Sequence, residues 1–86
     1  MTKSTRDVLA QTSRIVFNVI DRSFSFISKD GTTLWRGDIT EETIQTFGGK
    51  ERLKRYIDDI RLGKIRVNVC IQTLDKLEAA LTFSEL

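Results

Sequence analysis

The side chain best suited to nucleophilic chemistry is Cys70, the one thiol in the chain. It sits in Lys64-Ile65-Arg66-Val67-Asn68-Val69-Cys70-Ile71-Gln72, with Arg66 four residues earlier on the same face of an expected strand. A thiol becomes a nucleophile when a helix N-terminus or a cation lowers its pKa. In mid-strand it reads as a small, half-buried side chain. The sequence contains no histidine, so the serine and threonine hydroxyls lack their usual base. A lone cysteine without imidazole partners is no metal site. Asp58-Asp59 and Glu41-Glu42 could do acid–base work. Neighbours on a helix diverge by about 100°, so neither pair converges on one substrate atom. The residues point to no catalysis, no metal and no cofactor.

Gly48-Gly49-Lys50 invites comparison with a phosphate-binding loop. That loop needs an earlier glycine and a Ser or Thr after the lysine to hold magnesium. Here Glu51 follows and puts negative charge where phosphate would lie, so the pair of glycines reads as a helix break.

A basic stretch carries Lys50, Arg52, Lys54, Arg55, Arg61, Lys64 and Arg66. On a helix Lys50, Lys54 and Arg61 share a stripe that could contact phosphates, and with Lys64 and Arg66 it suggests nucleic acid. Against this stand Glu51–Arg55, Lys54–Asp58 and Arg55–Asp59, all spaced to neutralise one another on a solvated face. Aromatic rings to stack on bases are not interleaved with the cations. Trp35, followed by Arg36, combines two residue types enriched at interface hot spots. As the one tryptophan of a small domain it serves equally well as a core centrepiece.

The elements that must position these groups follow from the hydrophobic pattern. Ser4 and Asp7 resemble a weak capping box before Val8 and Leu9, so the first dozen residues read as a short helix or a frayed tail. Arg14–Ile20 reads as a strand, with Ile15, Phe17 and Val19 on one face. Ser23–Ser28 follows as a second strand. Asp30-Gly31 then predicts a type I′ hairpin turn into a third strand over 32–39. Asp38 or Thr40 can cap a short helix holding Ile44 and Phe47. Leu53, Tyr56, Ile57 and Ile60 set the core stripe of a helix from Lys50 to about Leu62, ended by Gly63. Strict alternation over Lys64–Gln72 predicts a fourth strand, its wet face made of Lys64, Arg66, Asn68, Cys70 and Gln72. Thr73 can cap a last helix through Leu74, Leu77 and Leu81. The fold class is therefore α+β: an antiparallel three-stranded meander plus a fourth strand, with two to three helices packed on one face.

The chain of 86 residues, 40% hydrophobic and 30% charged, has the balance of one globular domain spanning 1–86 rather than of a disordered segment. The N-terminal residues lack the apolar run of a secretory signal, and nothing is long enough to span a bilayer. With a free thiol, these features place the expected location in the cytoplasm.

Charge is distributed in blocks. Residues 1–37 hold six bases and three acids, 38–49 three acids and no base, 50–66 seven bases and three acids, and 67–86 one base and three acids. Such blocks can guide docking or self-association. A domain of this size has a thin core, which favours homodimerisation. The expected function is a small non-enzymatic module that binds another protein as regulator, inhibitor or adaptor. Its expected surface is Lys64, Arg66, Asn68, Cys70 and Gln72 with Trp35, Arg36 and an open sheet edge. The alternative is nucleic-acid binding through Lys50, Lys54 and Arg61.

Overall fold

The computed structural model describes residues 8–83. The elements run α1 (Val8–Gln11), β1 (Thr12–Asn18), β2 (Ser23–Ser28), β3 (Thr33–Gly37), α2 (Glu41–Thr46), α3 (Lys50–Arg61) and α4 (Ile71–Phe83). The strands form an antiparallel sheet in the order β1-β2-β3. The class is α+β, as the pattern implies. The Ser4–Asp7 capping signal lies outside the described residues.

Register sorts the side chains into two faces. Ile15 opposes Phe26 and Phe17 opposes Phe24, while Phe26 also opposes Trp35. These residues point to one side, where Phe26 is 0% exposed. Its ring lies 5.2 Å from Phe47 and 5.7 Å from Trp35. Ile44 and Phe47, Leu53 and Ile57, and Leu74, Leu77 and Leu81 close the same cluster from the helices. Trp35 is thus half-buried at the border of the core, with its ring also 5.1 Å from Phe47.

Local chemistry sets where the elements stop. Strand β1 ends at Asn18, two residues before the hydrophobic run does. The Asn18 Oδ1 accepts from Ile20 N at 2.9 Å, and Asp21 Oδ1 accepts from Ser23 N at 3.2 Å and Ser23 Oγ at 2.7 Å. These side-chain bonds satisfy a turn in place of a ladder. Val19 and Ile20 are therefore 73% and 91% exposed rather than buried.

The β2–β3 connection also departs from expectation. A type I′ turn needs positive φ at both Asp30 and Gly31, yet only Gly31 has it, at +94°. Gly31 N donates to Ser28 O at 3.0 Å and Ser28 N to Thr32 O at 2.8 Å, a wider loop with the glycine at its bulge. The Asp30 carboxylate accepts from Ser28 Oγ and from Thr32 N, which fixes its own backbone outside the left-handed region.

The helix signals act as read. Thr40 caps α2 by accepting from Thr43 N at 3.2 Å, and Gly49 N returns to Ile44 O at 2.9 Å to end it. Gly63 closes α3, with Lys64 N donating to Asp59 O at 2.8 Å.

The expected fourth strand is corrected. Residues 65–70 run extended, with Ile65, Val67 and Val69 half-buried and the residues between them exposed. They form one parallel bridge, Arg14 with Asn68, and no ladder. Two features shorten the segment. Gly63 turns the chain at one end, and at the other α4 begins at Ile71, taking Ile71 and Gln72 into a helix. Cys70 O accepts from Leu74 N at 3.0 Å, so Cys70, not Thr73, is the residue at the helix boundary.

Candidate functional site

The second face of the sheet carries Arg14, Val16 and Asn18 from β1 and Ser23, Ser25 and Ile27 from β2, with Arg36 from β3 opposite Ser25. Among the described residues no buried hydrophobic side chain belongs to this face, and the single buried cluster lies on the other side. Val16 is 39% exposed. The bridge to Arg14 extends the face by one chain width and adds Asn68, with exposed Cys70 two residues on.

Electrostatics on this surface are set by a few partners. Arg36 pairs with the Asp21 carboxylate and its Nε donates to Ser23 Oγ at 3.3 Å. The Ser23 hydroxyl, with Arg36 beside it, holds the Asp21 carboxyl below the usual range. Among the described residues Arg14 has no such partner. At the far edge the Cys70 thiol lies 3.1 Å from Thr73 Oγ1. That hydroxyl and the Thr73 backbone amide lower the thiol pKa from its ordinary value.

The residues singled out from the sequence separate into three groups. Lys64, Arg66, Asn68 and Cys70 are exposed along one extended segment, as alternation implies, and Gln72 is exposed in the first turn of α4. Trp35 and Arg36 lie on opposite sheet faces, so they cannot act together; only Arg36 joins the open face. On α3, Lys50, Lys54 and Arg61 do not form one available row. Arg61 Nη2 lies 2.7 Å from Asp75 Oδ1 and 2.7 Å from Glu78 Oε1, tying α3 to α4. Asp75, with Glu78, raises the Arg61 pKa further. None of the pairs Glu51–Arg55, Lys54–Asp58 and Arg55–Asp59 closes to an ion pair.

Sequence reasoning missed Arg14, Val16 and Ser25. The signal was present, since the wet face of an alternating β1 must include Arg14 and Val16, but which face stays open is a tertiary fact. Among the described residues there is no group of three or more His, Cys, Asp or Glu that could hold a metal. No described helix is long and apolar enough to cross a membrane. No protein-family model, no curated protein and no solved structure matches the chain.

Proposed function

We propose that this protein is a non-enzymatic docking module that binds an acidic surface of another protein through its open sheet face. The observation that carries this reading is the face itself: Arg14, Arg36, Ser25, Asn18 and Asn68 surrounding Val16 and Ile27. Hydroxyl and amide groups supply hydrogen bonds, Arg14 supplies charge beside the Arg36–Asp21 pair, and the two aliphatic side chains supply a small apolar centre. That is the mixture of a protein interface. Arginine fits it better than lysine, because its planar fork recognises carboxylates bidentately.

Two observations favour a protein over nucleic acid as the partner. The sheet aromatics Phe17, Phe24, Phe26 and Trp35 belong to the core face, leaving no ring on the open face for bases to stack upon. Arg61, which the phosphate-contact reading needs, is already held by two carboxylates. The reading extends to a cytoplasmic regulator, inhibitor or adaptor, and to homodimers joined at the β3 edge, where the sheet ends.

Site-specific photocrosslinking tests it. A photoreactive residue at Ser25 in the producing cells is expected to capture a discrete protein, and the same probe at exposed Ala79 on α4 is not. Arg14→Glu should remove the Ser25 adduct. An adduct destroyed by nuclease, or equal capture from both positions, would sink the proposal.

A further inference from the structure

We infer that Asp30–Gly31 is a latent modification site, where the main chain isomerises to isoaspartate when the β2–β3 loop opens, and that the Ser28 hydroxyl is the latch that keeps it shut. Asp30 is the one aspartate in the chain that precedes a glycine. Both residues are exposed, and a Cβ placed on Gly31 would meet nothing within 4 Å. Attack of the Gly31 nitrogen on the Asp30 side chain is thus hindered neither by a side chain on the attacking residue nor by neighbouring atoms.

The reaction needs no partner but water. Gly31 N forms a bond to Asp30 Cγ, the protonated carboxyl gives up one oxygen, and that oxygen departs as water with the amide proton. A five-membered succinimide closes. Water then adds to one of the two ring carbonyls. Opening at Cγ restores Asp30, whereas opening at the main-chain carbonyl of Asp30 leaves the chain running through Cβ and Cγ. One water leaves and one returns, and nothing is oxidised or reduced.

The closed loop opposes each requirement of that step. Gly31 N–H, whose proton must leave, donates to Ser28 O at 3.0 Å. Ser28 Oγ donates to Asp30 Oδ1, and Thr32 N donates to the same oxygen at 3.0 Å. Both bonds favour the ionised carboxylate over the neutral acid that can lose water. Ser28 N then closes the loop on Thr32 O at 2.8 Å. All four bonds lie within residues 28–32 and none reaches the core, so they can break in a local opening without global unfolding. Of the four, the Ser28 hydroxyl bond is the one whose donor can be removed with the backbone bonds left in place. The isomerised chain is one methylene longer between Ser28 and Thr32, inside the ring that these bonds close, so the product cannot keep the same closure.

Peptide mapping of the full chain tests this, after incubation at physiological temperature and neutral pH and separation of isobaric peptides by liquid chromatography and mass spectrometry. Isoaspartate is expected at Asp30 and at no other aspartate, and about ten-fold faster in urea-unfolded chain than in folded protein. Ser28→Ala should raise the folded-state rate about three-fold or more. Ser28→Thr keeps the hydroxyl and should stay near the parent rate. In urea all three chains should isomerise alike. In the isomerised protein the amide resonances of Ser28, Gly31 and Thr32 should move while those of Phe26 and Leu53 do not.

Equal rates in folded and unfolded chains would overturn the inference, as would a Ser28→Ala protein that isomerises at the parent rate. A faster Ser28→Ala rate that merely follows a global loss of stability would assign the effect to unfolding and overturn it too. Absence of isoaspartate at Asp30 even in urea would remove the site altogether.

Discussion

Asn68 lies against Arg14 in one parallel bridge: its N–H donates to Ser13 O at 2.9 Å, and its carbonyl accepts from Ile15 N at 3.1 Å. The backbone of Asn68 is thus structural while its side chain is exposed. Asn68→Pro deletes the donor and leaves Ser13 O without it, and is expected to cost about 1–3 kcal/mol of stability. Asn68→Ala keeps both bonds and should stay within about 0.5 kcal/mol of the parent. Urea denaturation reads both values, and faster hydrogen exchange at the Ile15 amide should accompany the proline variant alone. Equal costs for the two variants would mean that the bridge does not hold the segment.

At the β2–β3 loop, Asp30 accepts from the Ser28 hydroxyl and from the Thr32 amide at 3.0 Å. Those bonds lower its pKa from 3.8 to about 2. A carboxyl with a depressed folded-state pKa stabilises the fold above its unfolded pKa, and that contribution disappears as pH falls through the folded value. The loop should therefore hold at pH 4 and loosen between about pH 4 and 2. Carboxyl-detected NMR titration should place the Asp30 midpoint near 2, and Ser28→Ala should move it up toward 3.8.

Much of the helical half was legible because its signals are local. Thr40, Gly48-Gly49, Lys50 and Gly63 mark boundaries through caps and positive φ, and these need no distant partner. The strands were legible in alternation but not in extent. Val19 and Ile20 look like strand interior, yet Asn18 and Asp21 side chains bind the turn backbone and leave both exposed. Over 65–70 the alternation separated half-buried Ile65, Val67 and Val69 from exposed Arg66 and Asn68, but Ile71, which continues the apolar set, is 64% exposed at the start of α4. Period alone says which way side chains point, not whether a neighbouring chain offers a ladder.

Gly48 and Gly49 end α2 with φ of +104° and +105°, so an alanine at either position is strained by its backbone alone. Their surroundings differ. A Cβ on Gly48 would lie 2.8 Å from Arg52 Cδ, whereas one on Gly49 would meet nothing within 4 Å. Gly48→Ala is expected to cost about 1–3 kcal/mol and to exceed Gly49→Ala. It should also displace Arg52 from Phe47 O, a change visible as an altered Arg52 side-chain resonance. Chemical denaturation of the two variants checks the order, and a larger loss at Gly49 would contradict the close approach.

Arg61 reaches from the last turn of α3 to Asp75 and Glu78, which sit three residues apart on one face of α4. Arg61→Glu would put three carboxylates together, so it should lower the melting temperature, and more so at low salt than at high. Adding Glu78→Arg to that variant restores an opposite pair and should recover part of the loss, a coupling that independent surface sites would not show. Lys54→Glu, with no ion pair to break among the described residues, should leave the melting temperature nearly unchanged. The contrast bears on function. If Arg61 is an interhelical tie, any loss of nucleic-acid binding on its reversal must come with a loss of stability. Weakened binding by an Arg61→Glu protein that melts like the parent would instead assign Arg61 to a phosphate, and would return the basic face of α3 to the centre of this protein's function.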